Sequence, residues 1–143
     1  YDGIVLAQAG IKTLKLEEYS KQIFSTDEML PAVGQGVIAA QCRKEDLFIN
    51  NLLKKIDHKV TRKCAEAERS LLKTIGGDCE TAVGGLATIK NNELILSGQL
   101  FSDDGKNFFT HKIKGNVNDG INIGKIVGDK LLALAGNNFI KTE

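Results

Sequence analysis

The sequence predicts an α+β fold, a two-layer domain in which a three-stranded antiparallel sheet packs against about three helices. Three observations predict it. Apolar residues recur at helical spacing from residue 45 to 75, three runs of branched and apolar residues follow with turn signals between them, and a last apolar stripe at helical spacing closes the pattern before Gly136. This unit is expected from residue 45 onward, so that residues 1–44 and 45–143 form separate parts.

Taken in order, Ile4-Val5-Leu6-Ala7 reads as a short buried strand closed by Ala9-Gly10. Residues 11 to 23 mix Leu14, Leu16, Tyr19 and Ile23 with lysines and glutamates and read as partly helical. Leu30-Pro31 opens an extended piece, because a residue before proline avoids the helical region. Gly34-Gln35-Gly36 lets the backbone approach a neighbour closely; no lysine-serine pair follows, so it reads as a crossover into a strand at 37–42 rather than a phosphate loop. Phe48, Leu52 and Ile56, with Glu45 and Asp46 in the first turn, predict one helix. Asp57-His58 interrupts it, with His58 solvated or capping. A second helix carries Val60, Cys64, Ala67, Leu71 and Ile75 on one face, which assigns Cys64 to the core, and Glu66 and Arg69 are spaced for a surface pair. The strands are expected at 83–90, 93–101 and 106–114, with Asn91-Asn92 and Asp103-Asp104-Gly105 as turns. Leu94 and Leu96 alternate with Ile95, so one sheet face should be the better buried. His111 lies in the third strand and carries no role. Asn118-Asp119 offers a cap for a final helix with Ile123, Val127, Leu131 and Leu134 on its stripe, ended by Gly136-Asn137 and packed on the sheet with the earlier two.

Composition narrows the function classes. With 19 basic and 18 acidic side chains in 143 residues, the net charge of +1 gives no electrostatic case for nucleic acid or an anionic membrane. No apolar run approaches the roughly 20 residues of a membrane span, and no signal-peptide pattern opens the chain. Three cysteines, none at metal-ligand spacing, suit a reducing cytoplasm and no metal site. The chain opens on Tyr1 with what reads as the middle of a fold, the expectation being the C-terminal portion of a longer protein.

The stretch from Ile75 to Gly85 carries the chemistry. Gly76 and Gly77 read as a helix stop, and Cys79 is lifted onto the corner between that helix and the next strand. Asp78, Glu80 and the negative end of the helix are all expected to raise the pKa of this thiol. It is suited to a single reaction with a strong electrophile, with the adduct retained, and not to turnover as a thiolate.

Leu30-Pro31-Ala32-Val33-Gly34-Gln35-Gly36, Gln41-Cys42-Arg43, Ala67-Glu68-Arg69 and Gly77-Asp78-Cys79 follow one another as in the porphobilinogen deaminase (hydroxymethylbilane synthase) family, and the resemblance covers essentially the whole chain. The resemblance implies that Cys79 holds a dipyrromethane cofactor by a thioether, formed when the sulfur captures the electrophilic methylene of deaminated porphobilinogen. It implies a transferase that condenses four porphobilinogen molecules head to tail with loss of ammonia, in tetrapyrrole and heme biosynthesis, the growing pyrrole chain remaining bound. It makes residues 1–44 remnants of the parent's second and first α/β domains, places Lys12 and Arg43 at the substrate cleft and the acid/base aspartate upstream of this sequence, so that no catalytic residue is expected here and the fragment alone is expected to be inactive. Thr13 and Ala82 depart from the family's usual arginine and proline. Lysine supplies 16 of the 19 basic residues, with only Arg43, Arg62 and Arg69 as guanidinium forks. Most of a clamp for a polycarboxylate would therefore come from the missing N-terminal domains. A cytoplasmic monomer is expected.

Two readings of other classes compete. One is a non-catalytic α+β module that binds a small ligand or a partner protein, with Cys79 an ordinary loop thiol. The other is a redox-sensing thiol domain, against which stand the anionic neighbours and the lack of a nearby resolving cysteine.

Overall fold

The computed structural model describes residues 2–76, 81–102 and 104–136. Its first elements are a short helix α1 (Gln8–Thr13) and a 3-10 turn at Glu17–Tyr19, then α2 (Leu47–Ile56) and α3 (Lys59–Ile75). Strands β1 (Val83–Lys90), β2 (Glu93–Phe101) and β3 (Phe108–Asn116) follow, and α4 (Gly120–Ala135) ends the described chain.

The sheet is an antiparallel meander in the order β1-β2-β3. Asn91 and Asn92 both take positive φ, 50° and 60°, which closes the first hairpin as a two-residue turn whose twist matches that of the strands. The register sets Val83, Gly85, Ala87 and Ile89 opposite Leu100, Gly98, Leu96 and Leu94, and these last opposite Phe109, His111, Ile113 and Gly115. All of these share one face, since alternate residues of paired strands point the same way. That face meets Ala67 and Leu71 of α3 and Ile123, Val127 and Leu131 of α4, and together they form the core. The predicted α+β class, the alternation along β2 and the core position of Cys64, which is half-buried against this cluster, are all present.

The two helices lie close because α4 carries Gly124 where α3 passes; a Cβ there would stand 2.3 Å from the Ala67 carbonyl oxygen and 2.6 Å from Ser70 Cβ. His58 caps α3, its Nδ1 accepting from the Thr61 amide at 3.3 Å, and Gly76 ends the helix at φ 72°. Asp46 caps α2 by accepting from the Ile49 amide at 3.0 Å. Asp119 holds the cap position of α4, but its carboxylate accepts from the Asn122 side chain at 3.0 Å instead of from the helix backbone.

Several expectations are corrected. Residues 4–7 and 37–42 form no strand, and Ile4, Val5, Leu6 and Ile38 are exposed, the last by 98%. A strand exists only through hydrogen bonds to a neighbour, and neither run meets one among the described residues. Helix α2 forms as predicted, yet buries no residue, with Phe48 72% exposed; α3 and α4 alone supply the helical layer. Strand β3 lies two residues later than the sequence pattern suggests. Leu134 is exposed at the end of its stripe. Glu66 and Arg69 form no ion pair.

Candidate functional site

The corner between α3 and β1 is built by two devices. Gly76 donates its amide to the carbonyls of Leu72 and Lys73 in the left-handed conformation that ends α3, and Val83 N–H donates to the Thr81 carbonyl at 2.8 Å as β1 begins. Cys79 and Asp78 stand between these ends and lie outside the described residues.

Arg43 precedes α2. The Asn50 amide nitrogen donates toward the carbonyls of Arg43, Lys44 and Asp46 at 3.1, 3.2 and 2.8 Å, which fixes the local backbone. The side chain of Arg43 is 86% exposed and only 3.5 Å from Asp46 Oδ2, an open pair of small energetic value. It borders an open hollow of about 520 Å³ lined by Gln41, Cys42, Arg43, Asp46 and Ile49. Lys12 is exposed in the last turn of α1, and no hydrogen bond or ion pair among the described residues joins it to Arg43. Next to it, the Thr13 hydroxyl donates to the Ala9 carbonyl at 2.9 Å, so this side chain is turned back onto its own helix. Arg62 is committed elsewhere: its guanidinium grips both oxygens of Asp57 and holds that carboxyl below its usual range. Among the described residues, no group of three or more His, Cys, Asp or Glu side chains could hold a metal ion, and no helix is long and apolar enough to cross a membrane.

One residue of the site has no role in the sequence reading. Glu68 is only 6% exposed, the sole charged side chain buried among the described residues. Its Oε1 accepts from the Ala87 amide and its Oε2 from the Gly34 amide, both at 2.8 Å. Beside it the Gly85 amide donates to the Pro31 carbonyl at 2.9 Å, and Ala32 bridges to Gly84. The free edge of β1 is thus closed by the 30–34 segment and by a carboxylate standing in for a further peptide carbonyl. Gly34 takes φ 74° and Gly36 φ 79°, so the chain turns sharply as it leaves this edge. The close approach implied by Gly34-Gln35-Gly36 is to Glu68, and the segment is a turn that leads into no strand. A signal was available: Glu68 follows Cys64 by four residues and Ala67 by one, which puts a carboxylate on the apolar stripe of α3.

Residues 62–133, half of the chain, match the family model described as porphobilinogen deaminase, C-terminal domain. The chain belongs to the porphobilinogen deaminase family. Residues 1–51 match a second model, described as porphobilinogen deaminase, dipyromethane cofactor binding domain. Lys12 and Arg43 fall within the second match and Cys79 within the first. Among similar proteins, the porphobilinogen deaminase of Desulforamulus reducens is 39% identical over 98% of this chain and 45% of its own length. That of Coxiella burnetii is 39% identical over 99% of this chain and 46% of its own length. That of Clostridium acetobutylicum is 39% identical over 92% and 44%. The chain spans about half the length of the curated relatives it matches.

Proposed function

We propose that this chain is the cofactor-anchoring part of a porphobilinogen deaminase, a transferase that condenses four porphobilinogen molecules into hydroxymethylbilane with loss of ammonia, and that Cys79 is the anchor. The observation that carries the proposal is the position of Cys79: it follows the left-handed stop at Gly76 and precedes β1 by four residues, within the stretch matched to the C-terminal domain. The described residues on either side, Gly76 and Val83, belong to elements packed on the core, and the proposal has the thiol between them meet a cleft formed with other domains.

The residues present suit an anionic pyrrolic group. Arg43, exposed beside an open hollow, offers a two-pronged fork for a carboxylate, and Lys12 a second cation. Both lie in the stretch matched to the cofactor-binding domain. The Cys79 sulfur forms a carbon–sulfur bond to the methylene carbon from which ammonia has departed, and the thiol proton is released. The resulting thioether resists mild reductant, unlike a disulfide, and serves as a permanent tether. When bound, the dipyrromethane supplies the primer on which further pyrroles are added. General acid-base work on the leaving amine needs a carboxylate within hydrogen-bond reach, which the proposal assigns to the part of the relatives that this chain does not span.

The proposed division sets residues 1–44 with the cleft-lining domains and 45–143 with the anchor. The family matches change between 51 and 62, a few residues beyond that division. A monomer in the cytoplasm completes the proposal.

The test is intact mass spectrometry of the active full-length enzyme, which should carry an adduct of two pyrrole units on Cys79. Cys79→Ser should fold normally, lack the adduct and lose polymerisation. An unmodified Cys79 in active enzyme, or wild-type turnover by the serine variant, refutes the anchor and leaves a ligand-binding module as the function of this part.

A further inference from the structure

Glu68 is buried, charged and unused by the chemistry above. A buried carboxylate is costly unless hydrogen-bonded, and an apolar side chain would fill the same space without that cost. What an apolar side chain could not do is join two backbone segments. Glu68 hydrogen-bonds at 2.8 Å to Gly34, on the segment that runs on to Arg43, and at 2.8 Å to Ala87, on the strand that follows Cys79. Its own backbone belongs to α3, the helix that ends just before Cys79. One carboxylate therefore ties together the helix before the anchor, the strand after it and the segment leading to Arg43.

We propose that Glu68 is a positioning residue for chain elongation: it fixes the 30–36 segment on the edge of β1 and so sets where the segment leading to Arg43 runs relative to the end of α3 and the start of β1, the two elements that flank Cys79 in the chain. This rests on the anchor role of Cys79. The backbone bond from Gly85 to Pro31 brings the segment to the edge, but its register past Ala32 depends on the turn at Gly34. Gly34 is held there at φ 74° by the carboxylate, with open space where a side chain would be.

The test uses the full-length enzyme with Glu68→Gln, Gly34→Ala and the double variant. Glutamine keeps the shape but turns an N–H₂ toward one amide; alanine leaves the core untouched and strains the turn from the other end. Both variants should retain the adduct on Cys79. Each should lower kcat by roughly tenfold or more with KM within about twofold, as for displaced reacting groups. Intermediates carrying partial pyrrole chains should accumulate on the enzyme by mass. Hydrogen exchange at Gly34 and Ala87 should quicken, and the double variant should be no slower than the worse single one, because both release the same contact. A folded variant with wild-type kcat, or effects that multiply in the double variant, overturns the proposal. If Glu68→Gln does not fold, Gly34→Ala decides alone by the same kcat criterion. If active wild-type enzyme carries no adduct on Cys79, the anchor is refuted, and the exchange and coupling results still decide whether Glu68 ties the two segments.

Discussion

At the scale of single residues, three side chains on one helix face behave differently because of what surrounds them. Ala67 packs with no exposure, Glu68 is buried but satisfied by two amides, and Cys64 is half-buried without a strong partner. Burial first, and then the nearby Glu68 carboxylate, raise the Cys64 thiol above its ordinary value of 9.0. Between 9.0 and the raised folded value, the unfolded chain loses this proton before the folded one. The contribution to stability is therefore complete below the ordinary value and declines as pH rises through the folded one. Urea midpoints measured from pH 8 to pH 10.5 should fall less for Cys64→Ala than for wild type. Equal slopes would show that the thiol ionises as freely in the fold as outside it. The proposed anchor role of Cys79 rests on neighbouring residue types and motif order, whereas Glu68 was overlooked because its hydrogen bonds reach amides 34 residues earlier and 19 later in the chain.

At the scale of elements, periodicity identified α2, α3, α4 and the three strands, because each signal is local. It did not tell which amphipathic helix finds the sheet. Helices α3 and α4 both carry an apolar stripe, and so does α2, yet only the first two pack on β1 to β3. The deciding feature is the small-residue contact at Gly124, which lets α4 rest directly on the backbone of α3. Gly124→Ala should therefore force the helices apart and destabilise the domain by about 1–3 kcal/mol or more, as overpacking does. Gly10→Ala, in α1 with nothing within 4 Å of the added Cβ, should be neutral or slightly stabilising. Chemical denaturation of both variants checks this, and an equal response would remove the close contact as the cause.

At the scale of the whole molecule, the chain divides by burial. Among the described residues, the fully buried core side chains lie within residues 67–131, while residues 4–6, 14, 23–24 and 37–38 and the apolar stripe of α2 lie open to solvent. Within the first 44 residues, partial burial concentrates at Leu30, Pro31, Val33 and Gly34, the segment that touches β1 and Glu68. Brief trypsin treatment of the 143-residue chain should cut first at Lys12, Lys15, Lys21, Lys44, Lys54 or Lys55, and should spare the segment from α3 to α4, since local unfolding is cheapest where little is buried. A fragment starting near Lys59 should accumulate; uniform digestion would mean that the core does not hold without its neighbours.

The sequence by itself determined the family, the elements with strong local periodicity, and the turns at Asn91-Asn92 and Gly105. Tertiary structure alone decided that 4–7 and 37–42 are not strands here, that α2 stands apart from the sheet, and that a carboxylate closes the edge of β1. The physical reason is common to all three. Apolar spacing records which residues avoid water, but hydrogen-bond partners and packing surfaces are supplied by segments distant in sequence.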